Sequence, residues 1–554
     1  MENYNDLFRL WKTDSYFDTG TQDELGAVEN DEKEKEDRFF RHLEFGTGGL
    51  RGVMGAGTNR MNRYTVGRAT RGLANYLKKK YTPAECLERG VVIAYDTRLN
   101  SREFAHAATD VLTYSGILVH FHSQPVPTPQ LSFAVRHMNA LAGIVITASH
   151  NPKEYNGYKV YDQNGCQIVP HIANEIYAQI EAITDYRTVL FERREELVRN
   201  ADTSDAFVSQ VLKVSRIEGK KNIKVVYTPL HGTGSVPVKA ALARDGFENV
   251  TPVASQDTPD GNFPTVISPN PEDKRALSEG IKLAESIGAD IVLGTDPDSD
   301  RVGIAVRTDS GYKLISGNQI GALILDHIIR HTDIKSLNKP AVVKTIVTSE
   351  VGAKIAQANG IEVFNTLTGF KYIGEMMTRF EESGHTFVFG YEESYGFLSG
   401  THARDKDAVC AAVLICEAAQ VMKNQGKTLW HRLQELYEQY GYCLDKLESF
   451  TLKGIEGIER IAGMMKKLRE NDLFEQCEKI DYLNDTPAEE GFGLLPKADV
   501  IKYIFPDGTW IAVRPSGTEP KIKIYYSVNG KDEHEADENY KNISSKIKKY
   551  LELE

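Results

Sequence analysis

The chain has 554 residues, with 66 Lys and Arg against 78 Asp and Glu for a net charge of −12, and is 41% hydrophobic and 26% charged. These proportions belong to a folded protein and exclude a disordered, collagen-like or small disulfide-stapled chain. An acidic balance also argues against broad binding to nucleic acid or anionic membranes, which require a basic face, while leaving room for a small anionic ligand held by a few converging Arg and Lys.

The N-terminal MENYNDLFRLWKTD has no cationic start followed by an apolar run. The longest apolar stretches reach about half of the 20 residues that a spanning helix needs, so a cytoplasmic protein without membrane insertion is expected. Residues 20 to 41 are dominated by charge and read as a solvated helix or lead-in, with too few apolar positions to nucleate a core.

One pattern then repeats: a short apolar run, a polar loop and a helical stretch. The runs are VVIAYDTR (91–98), GIVITASHNP (143–152), IKVVYTPLHG (223–232), DIVLGTDPDSD (290–300), AVVKTIVTS (341–349) and TFVFGYEES (386–394). Continuous Val/Ile runs of this kind indicate parallel strands buried on both faces, hence an α/β chain. Two runs fall in each of three successive blocks, which predicts three similar α/β domains. From about residue 446 a helical stretch, two strand-like runs flanking a turn (WIAVRPSGTEPKIKIYYSV) and a charged helix predict a C-terminal α+β domain. The expected domains are 1–205, 206–318, 319–445 and 446–554. The six cysteines, Cys86, Cys166, Cys410, Cys416, Cys443 and Cys477, lack CxxC or metal spacing and read as reduced thiols.

Four loops carry candidate chemistry. TASHNP (147–152) presents Ser149 and His150 beyond a strand end, where ligands of open α/β sheets collect; taken alone it also reads as a turn ended by Pro152. GTDPDSDR (294–301) places Asp296, Asp298 and Asp300 at alternate positions, able to wrap one hard cation that would relieve their repulsion. An EF-hand counted from Asp296 fails, because Arg301 and Arg307 stand where Gly and Glu are required. GYEES (390–394) offers Glu392, Glu393 and Ser394 for sugar hydroxyls, with Arg404 and Lys406 downstream, although a solvated acidic turn has the same composition. RPSGTEPK (514–521) gathers Arg514, Ser516, Gly517 and Thr518 into a candidate phosphate nest, with a plain hairpin turn as its rival. FGTGGLRG (45–52) is no dinucleotide fingerprint, since Arg51 replaces the last glycine and no strand run precedes it, but a flexible glycine segment carrying Arg51 could touch a phosphate. Gly426-Lys427-Thr428 lacks the first glycine of a P-loop.

In their order and separation these four loops resemble the α-D-phosphohexomutase family over essentially the whole chain. The resemblance implies three similar α/β domains with mixed sheets and a C-terminal α+β domain around a central cleft. It implies a phosphorylated Ser149 and Mg²⁺ held by Asp296, Asp298, Asp300 and the group on Ser149. Arg51, His150, Lys159 (in NGYKVY) and Arg301 match phosphate and proton-transfer positions; Thr368 and Gly369 (in TLTGFKYIG), Glu392, Ser394 and Lys406 match sugar and substrate contacts; Arg514, Ser516, Gly517 and Thr518 match the distal phosphate site. Pro297 and Ser299 stand where Gly is common in the family, Tyr391 is an extra residue before Glu-Glu-Ser, and Gly48 replaces a usual Ser or Ala. These departures resemble the branch of bacterial phosphoglucomutases, phosphopentomutase and glucose-1,6-bisphosphate synthase. The implied activity is interconversion of glucose 1- and 6-phosphate with glucose 1,6-bisphosphate as intermediate and activator. A pentose, mannose or bisphosphate-synthase activity and a catalytically silent sugar-phosphate sensor are the alternatives. Sugar phosphates are the expected partners of a monomer or weak homodimer.

Overall fold

The protein is described by a computed structural model covering residues 3–46, 48–452, 454–489, 491–516 and 520–553. The first sheet orders its strands Gly49–Val53, Tyr155–Asp162, Ala142–Ile146, Val91–Tyr95, Val119–Phe121, Val198–Asn200. The second runs Gly311–Ile315, Val302–Thr308, Ile291–Thr295, Lys221–Thr228, Phe247–Pro252, and the third Glu362–Thr366, Pro340–Thr345, Thr386–Glu392, Gly396–Leu398. The fourth is antiparallel, with Tyr442–Thr451, Lys521–Gly530, Trp510–Pro515, Ile501–Ile504 and Glu478–Asp481 in that order. Tyr442–Thr451 straddles the boundary expected at 445.

The first three sheets share one topology. In each, a central strand pairs in parallel with two others: Val91–Tyr95 with Val119–Phe121 and Ala142–Ile146, Lys221–Thr228 with Phe247–Pro252 and Ile291–Thr295, and Pro340–Thr345 with Glu362–Thr366 and Thr386–Glu392. The last parallel strand of each set then folds back into an antiparallel neighbour, Ala142–Ile146 into Tyr155–Asp162, Ile291–Thr295 into Val302–Thr308, and Thr386–Glu392 into Gly396–Leu398. The serine, aspartate and glutamate loops sit at these three reversals. Helices do follow the other three runs, as Ser101–Tyr114, Ser235–Arg244 and Glu350–Ala358. The expectation of a helix after every run is therefore corrected at the three chemistry-bearing loops, where the mixed sheets turn antiparallel.

Burial follows the strand pattern. Val91–Tyr95, Ala142–Ile146 and Ile291–Thr295 are buried throughout, as strands covered on both faces must be. Val91, Ile93 and Tyr95 join a core with Val66, Leu73 and Leu112, whereas Val92 and Ala94 face Leu131 and Val135. The second and third units share one continuous core through helix Ala408–Asn424, which is buried on nearly all sides. Its Glu417 accepts from Lys221 Nζ at 2.8 Å and from Ser215 Oγ at 2.7 Å, so the buried charge is paired and hydrogen-bonded.

Residues 20–41 also differ from expectation. They form helices Thr19–Ala27 and Glu32–Phe39, and each buries one apolar residue, Leu25 and Phe39, in a cluster with Trp11, Phe17, Tyr64 and Tyr186. Few apolar positions suffice because the aromatic partners come from elsewhere in the chain. The glycine segment carrying Arg51 is likewise an edge strand, Gly49–Val53, in which Arg51 pairs with Gly157. A Cβ on Gly49 would lie 1.9 Å from the carbonyl oxygen of Tyr158, so only glycine permits that approach.

Candidate active site

The serine loop leaves the end of Ala142–Ile146 and places Ser149 at φ 53°, a left-handed conformation that side chains ordinarily avoid. The N–H of Ser149 donates to Thr147 Oγ1 at 2.8 Å. Its Oγ, buried, donates to Asp296 Oδ2 at 2.7 Å and lies 3.2 Å from His150 Nδ1. Burial, together with the positive charges of Arg301 and Arg51, pushes the imidazole of His150 well below its ordinary range, so the ring is neutral beside the hydroxyl.

Asp296, Asp298 and Asp300 are buried, and a carboxylate oxygen from each lies within 4.8 Å of the others. Asp296 Oδ1 accepts the backbone N–H of Asp300 at 3.1 Å and of Arg301 at 3.0 Å. Asp298 Oδ2 accepts Thr128 Oγ1 at 2.8 Å and Lys159 Nζ at 3.0 Å. Of the other three oxygens, Asp300 Oδ2 faces Lys159 and Lys406, while Asp298 Oδ1 and Asp300 Oδ1 are buried with no hydrogen-bond partner among the described residues. Burial and the charges of Asp298 and Asp300 push the carboxyl of Asp296 well above the carboxylate range. Burial opposes ionisation of Asp298 too, but Lys159 and the bonds from Asp296 and Thr128 outweigh it and hold that carboxyl low. An all-oxygen cage with two unsatisfied anionic oxygens fits a hard divalent cation.

The two substitutions in this loop have local reasons. Ser299 adopts φ 52°, a conformation in which glycine is the usual occupant; its carbonyl is held by the N–H of Ala408 at 3.2 Å. Pro297 packs on Gly232, where a Cβ would lie 2.4 Å from Pro297 Cα, and its carbonyl accepts Thr233 N–H at 2.8 Å.

Cations ring the aspartates. Lys159 also lies 3.6 Å from Asp300, Lys406 Nζ is 3.2 Å from Asp300 and 2.9 Å from Asp405, and Arg301 donates to Glu272 at 2.7 Å. Burial opposes the charge on Lys406, but Asp300 and Asp405 overcome it and hold the ammonium protonated. Lys406 thus sits against the metal-type cluster and also acts on Glu392 of the third sheet. Arg404, on the same stretch, is turned away to Glu381. Arg51 Nη1 donates to Asn151 in the serine loop at 3.3 Å.

On the third sheet, Glu392 accepts the N–H of Gly369 at 2.8 Å, so Glu392 and the Thr368-Gly369 loop meet. Thr368 Oγ1 is buried without a hydrogen-bond partner among the described residues. Burial raises the pKa of Glu392, partly offset by Lys406, while burial and the charge of Glu392 push Glu393 up to about 7. Ser394 is half-buried in the turn after Glu392. Tyr391 lies outside this site: its buried ring packs on Gly321 and Gly352, where a Cβ would approach it to 2.4 and 2.0 Å. Its strand has one more residue than its partner, with a bulge between the Phe387 and Phe389 pairings.

On the fourth sheet, Arg514 ends Trp510–Pro515 directly opposite Lys523 of Lys521–Gly530. Like charges facing each other across a strand pair repel, an arrangement that suits an anion between them. Burial and the charge of Arg514 lower the pKa of Lys523, with Glu393 acting in the opposite sense, and burial lowers that of Lys371 to about 8. The N–H of Ser516 donates to the carbonyl of Lys521 at 2.7 Å. The expected contacts Gly517 and Thr518 lie outside the described residues.

Several residues at the site carried no role in the sequence reading. Asp96 and Arg98 stand at the end of Val91–Tyr95, and their position in VVIAYDTR at a strand end was the available signal. Lys523 could have been found from the KIKIYY alternation, which puts it on the Arg514 face. Thr128 and Glu272 are brought in by tertiary contact and have no local signature.

Four family models match in succession: Phosphoglucomutase/phosphomannomutase alpha/beta/alpha domains I, II and III at residues 42–187, 205–311 and 316–440, and the C-terminal domain at 453–539. A phosphoglucomutase of Staphylococcus haemolyticus (strain JCSC1435) is 38% identical over 536 residues, covering 93% of this chain and 94% of that protein. The fold is also that of pp63/parafusin (phosphoglucomutase) from Paramecium, with TM-score 0.70, 18% identity and coverage of 92% of this chain and 95% of that one. A putative phosphomannomutase from Thermus thermophilus has TM-score 0.65 and 23% identity, with 91% of this chain and 99% of that one covered. Matched by every one of the four domains in order and along nearly its whole length by a relative, this chain belongs to the phosphoglucomutase/phosphomannomutase family.

Proposed function

We propose that the protein is a phosphoglucomutase, an isomerase interconverting α-D-glucose 1-phosphate and glucose 6-phosphate through a phosphorylated Ser149 and a glucose 1,6-bisphosphate intermediate. The observation that carries this reading is the approach of Ser149 Oγ to the aspartate cage, 2.7 Å from Asp296. The curated relative of 38% identity that bears the name phosphoglucomutase supports glucose over mannose or a pentose.

Asp296, Asp298 and Asp300, with an oxygen of the group on Ser149, would hold Mg²⁺, which neutralises charge on a transferring phosphoryl group when bound. Phosphoryl transfer is governed by positioning and charge. The P–O bond to Ser149 Oγ breaks as one forms to the free hydroxyl oxygen of the sugar phosphate. His150, neutral and 3.2 Å from Ser149 Oγ, is placed to pass a proton between the sugar hydroxyl and the serine oxygen. Lys159, Arg301 and Arg51 face the transferring group with positive charge. Glu392, Ser394, Thr368 and Gly369 would orient the sugar, with Lys406 joining the phosphate side. Arg514, Ser516 and Lys523, with Gly517 and Thr518, would clasp the distal phosphate. The bisphosphate then turns over, presents its other phosphate to Ser149 and leaves as the isomer. Closure of the fourth domain would exclude water from the phosphoenzyme.

Among the described residues no helix is long and apolar enough to cross a membrane; a cytoplasmic enzyme, monomeric or weakly dimeric, suits this reading. The test is a coupled assay on glucose, mannose, glucosamine and ribose phosphates with Mg²⁺ and catalytic glucose 1,6-bisphosphate. Fastest turnover on glucose 1-phosphate is expected; faster turnover on ribose 1-phosphate would reassign the enzyme as a pentose mutase.

A further inference from the structure

We propose, on the footing of the phosphoserine reading above, that Asp96 and Arg98 are positioning residues that hold Ser149 in its reactive geometry. Arg98 gathers the serine loop by its carbonyls. Its Nη2 donates to the carbonyl oxygens of Ser149 and Asn151, and its Nη1 to those of Pro152 at 2.9 Å and Tyr155 at 3.2 Å. Its Nε faces Asp96 Oδ2 at 3.3 Å, and both side chains are fully buried.

Asp96 closes the circuit from the other side. Its Oδ2 accepts Thr147 Oγ1 at 2.6 Å, and Thr147 Oγ1 in turn accepts the Ser149 N–H at 2.8 Å. Its Oδ1 accepts Ser101 Oγ at 2.7 Å and the N–H of Arg98 at 2.9 Å. The amide and carbonyl of Ser149 are therefore both tied to one buried ion pair, and that is where the backbone takes its disfavoured φ of 53°. A strained conformation persists only where its surroundings over-determine it. Four carbonyl oxygens converging on one point repel each other unless a planar, multi-donor cation lies between them, which guanidinium supplies and ammonium does not.

The second domain covers the same pair. The Phe263 ring lies over the Arg98 guanidinium at 5.0 Å, Gly261 approaches so closely that a Cβ would sit 2.5 Å from the N of Leu99, and Ser268 Oγ donates to the His150 carbonyl at 2.7 Å. The ion pair thus fixes Ser149 relative to the domain that carries the aspartates. Neither Arg98 nor Asp96 bonds the serine hydroxyl, so the pair acts through the loop.

The experiment uses the full-length protein with Arg98→Lys and, separately, Thr147→Val, which cuts the Asp96-to-Ser149 link while leaving the ion pair intact. A nucleophile misplaced by about 1 Å costs on the order of 100-fold. Arg98→Lys should therefore lower kcat by about 100-fold and Thr147→Val by about 10-fold, with KM for glucose 1-phosphate within about 3-fold of wild type because the sugar and distal phosphate contacts are untouched. Single-turnover phosphorylation of Ser149 by glucose 1,6-bisphosphate should slow in parallel. Wild-type kcat in folded Thr147→Val, or a loss confined to KM, would overturn the proposal, and if Arg98→Lys fails to fold then Thr147→Val alone decides. Failure of the wild-type protein to take a phosphoryl group on Ser149 would instead overturn the function on which the proposal rests.

Discussion

Ser149 Oγ donates a 2.7 Å hydrogen bond to Asp296 Oδ2 although 147 residues separate them in sequence. The bond joins the reversals of two successive sheets, each ending a buried parallel strand. It puts a hydroxyl nucleophile in contact with a carboxyl whose ionisation is disfavoured by burial and by two neighbouring carboxylates. A cation in the cage would relieve both.

Metal binding is therefore linked to stability. Asn at position 296 retains one oxygen for the N–H groups of Asp300 and Arg301, and on folding it neither ionises beside Asp298 and Asp300 nor has to take up a proton. Without divalent ions, Asp296→Asn should melt higher than wild type. With Mg²⁺ at a hundred times its Kd, wild type should gain about 2.7 kcal/mol, and the variant less. Thermal melts with and without Mg²⁺ check this; equal gains would contradict it.

Arg514 faces Lys523 across the fourth sheet. Arg514→Ala removes a charge-assisted contact of roughly 1.5–3 kcal/mol, so kcat/KM should fall by about 10- to 100-fold, with a higher KM and a lower rate. Steady-state kinetics on glucose 1-phosphate measure it, and unchanged kinetics would remove Arg514 from the distal site.

Lys502 donates to the carbonyl of Ile346 at 2.7 Å across the contact between the third and fourth sheets. Burial, aided by the charge of Lys344, lowers its pKa to about 7, against about 10.4 in an unfolded chain. Between those values the unfolded chain binds a proton that the folded one does not, so this residue's contribution to stability rises with pH from about 7 to about 10. The stability of wild type minus that of Lys502→Met should increase over this window in chemical denaturation. A flat difference would contradict it.

Gly352 makes room for Tyr391, since a Cβ there would lie 2.0 Å from the phenol oxygen. Gly352→Ala should cost about 1–3 kcal/mol by overpacking, read as a lower denaturation midpoint, and should disturb the neighbouring Glu392 loop. An unchanged midpoint would show that the ring can move aside.

The four loops were legible because each concentrates its chemistry within a few residues. Ser149, the three aspartates, Glu392 and Arg514 announce themselves by composition and by position after an apolar run. The hairpins that carry three of these loops were not legible as such, since a buried parallel strand has the same Val/Ile signature whether a helix or an antiparallel strand follows it. Leu25 and Phe39 look like isolated apolar residues in a charged stretch, and Trp11 and Phe17 together with the distant Tyr64 and Tyr186 give them a core to enter. Thr128 and Glu272 are ordinary in sequence and acquire meaning from bonds to Asp298 and Arg301. The flexible segment expected around Arg51 became a strand because Tyr155–Asp162 supplies its partner.

The most direct test is intact-mass and peptide analysis of the protein after incubation with glucose 1,6-bisphosphate and Mg²⁺. Wild type should gain about 80 Da, one phosphoryl group, mapped to Ser149, while Ser149→Ala should gain nothing and turn over no glucose 1-phosphate. A phosphoryl group on another residue, or wild-type turnover by Ser149→Ala, would contradict the phosphoserine mechanism.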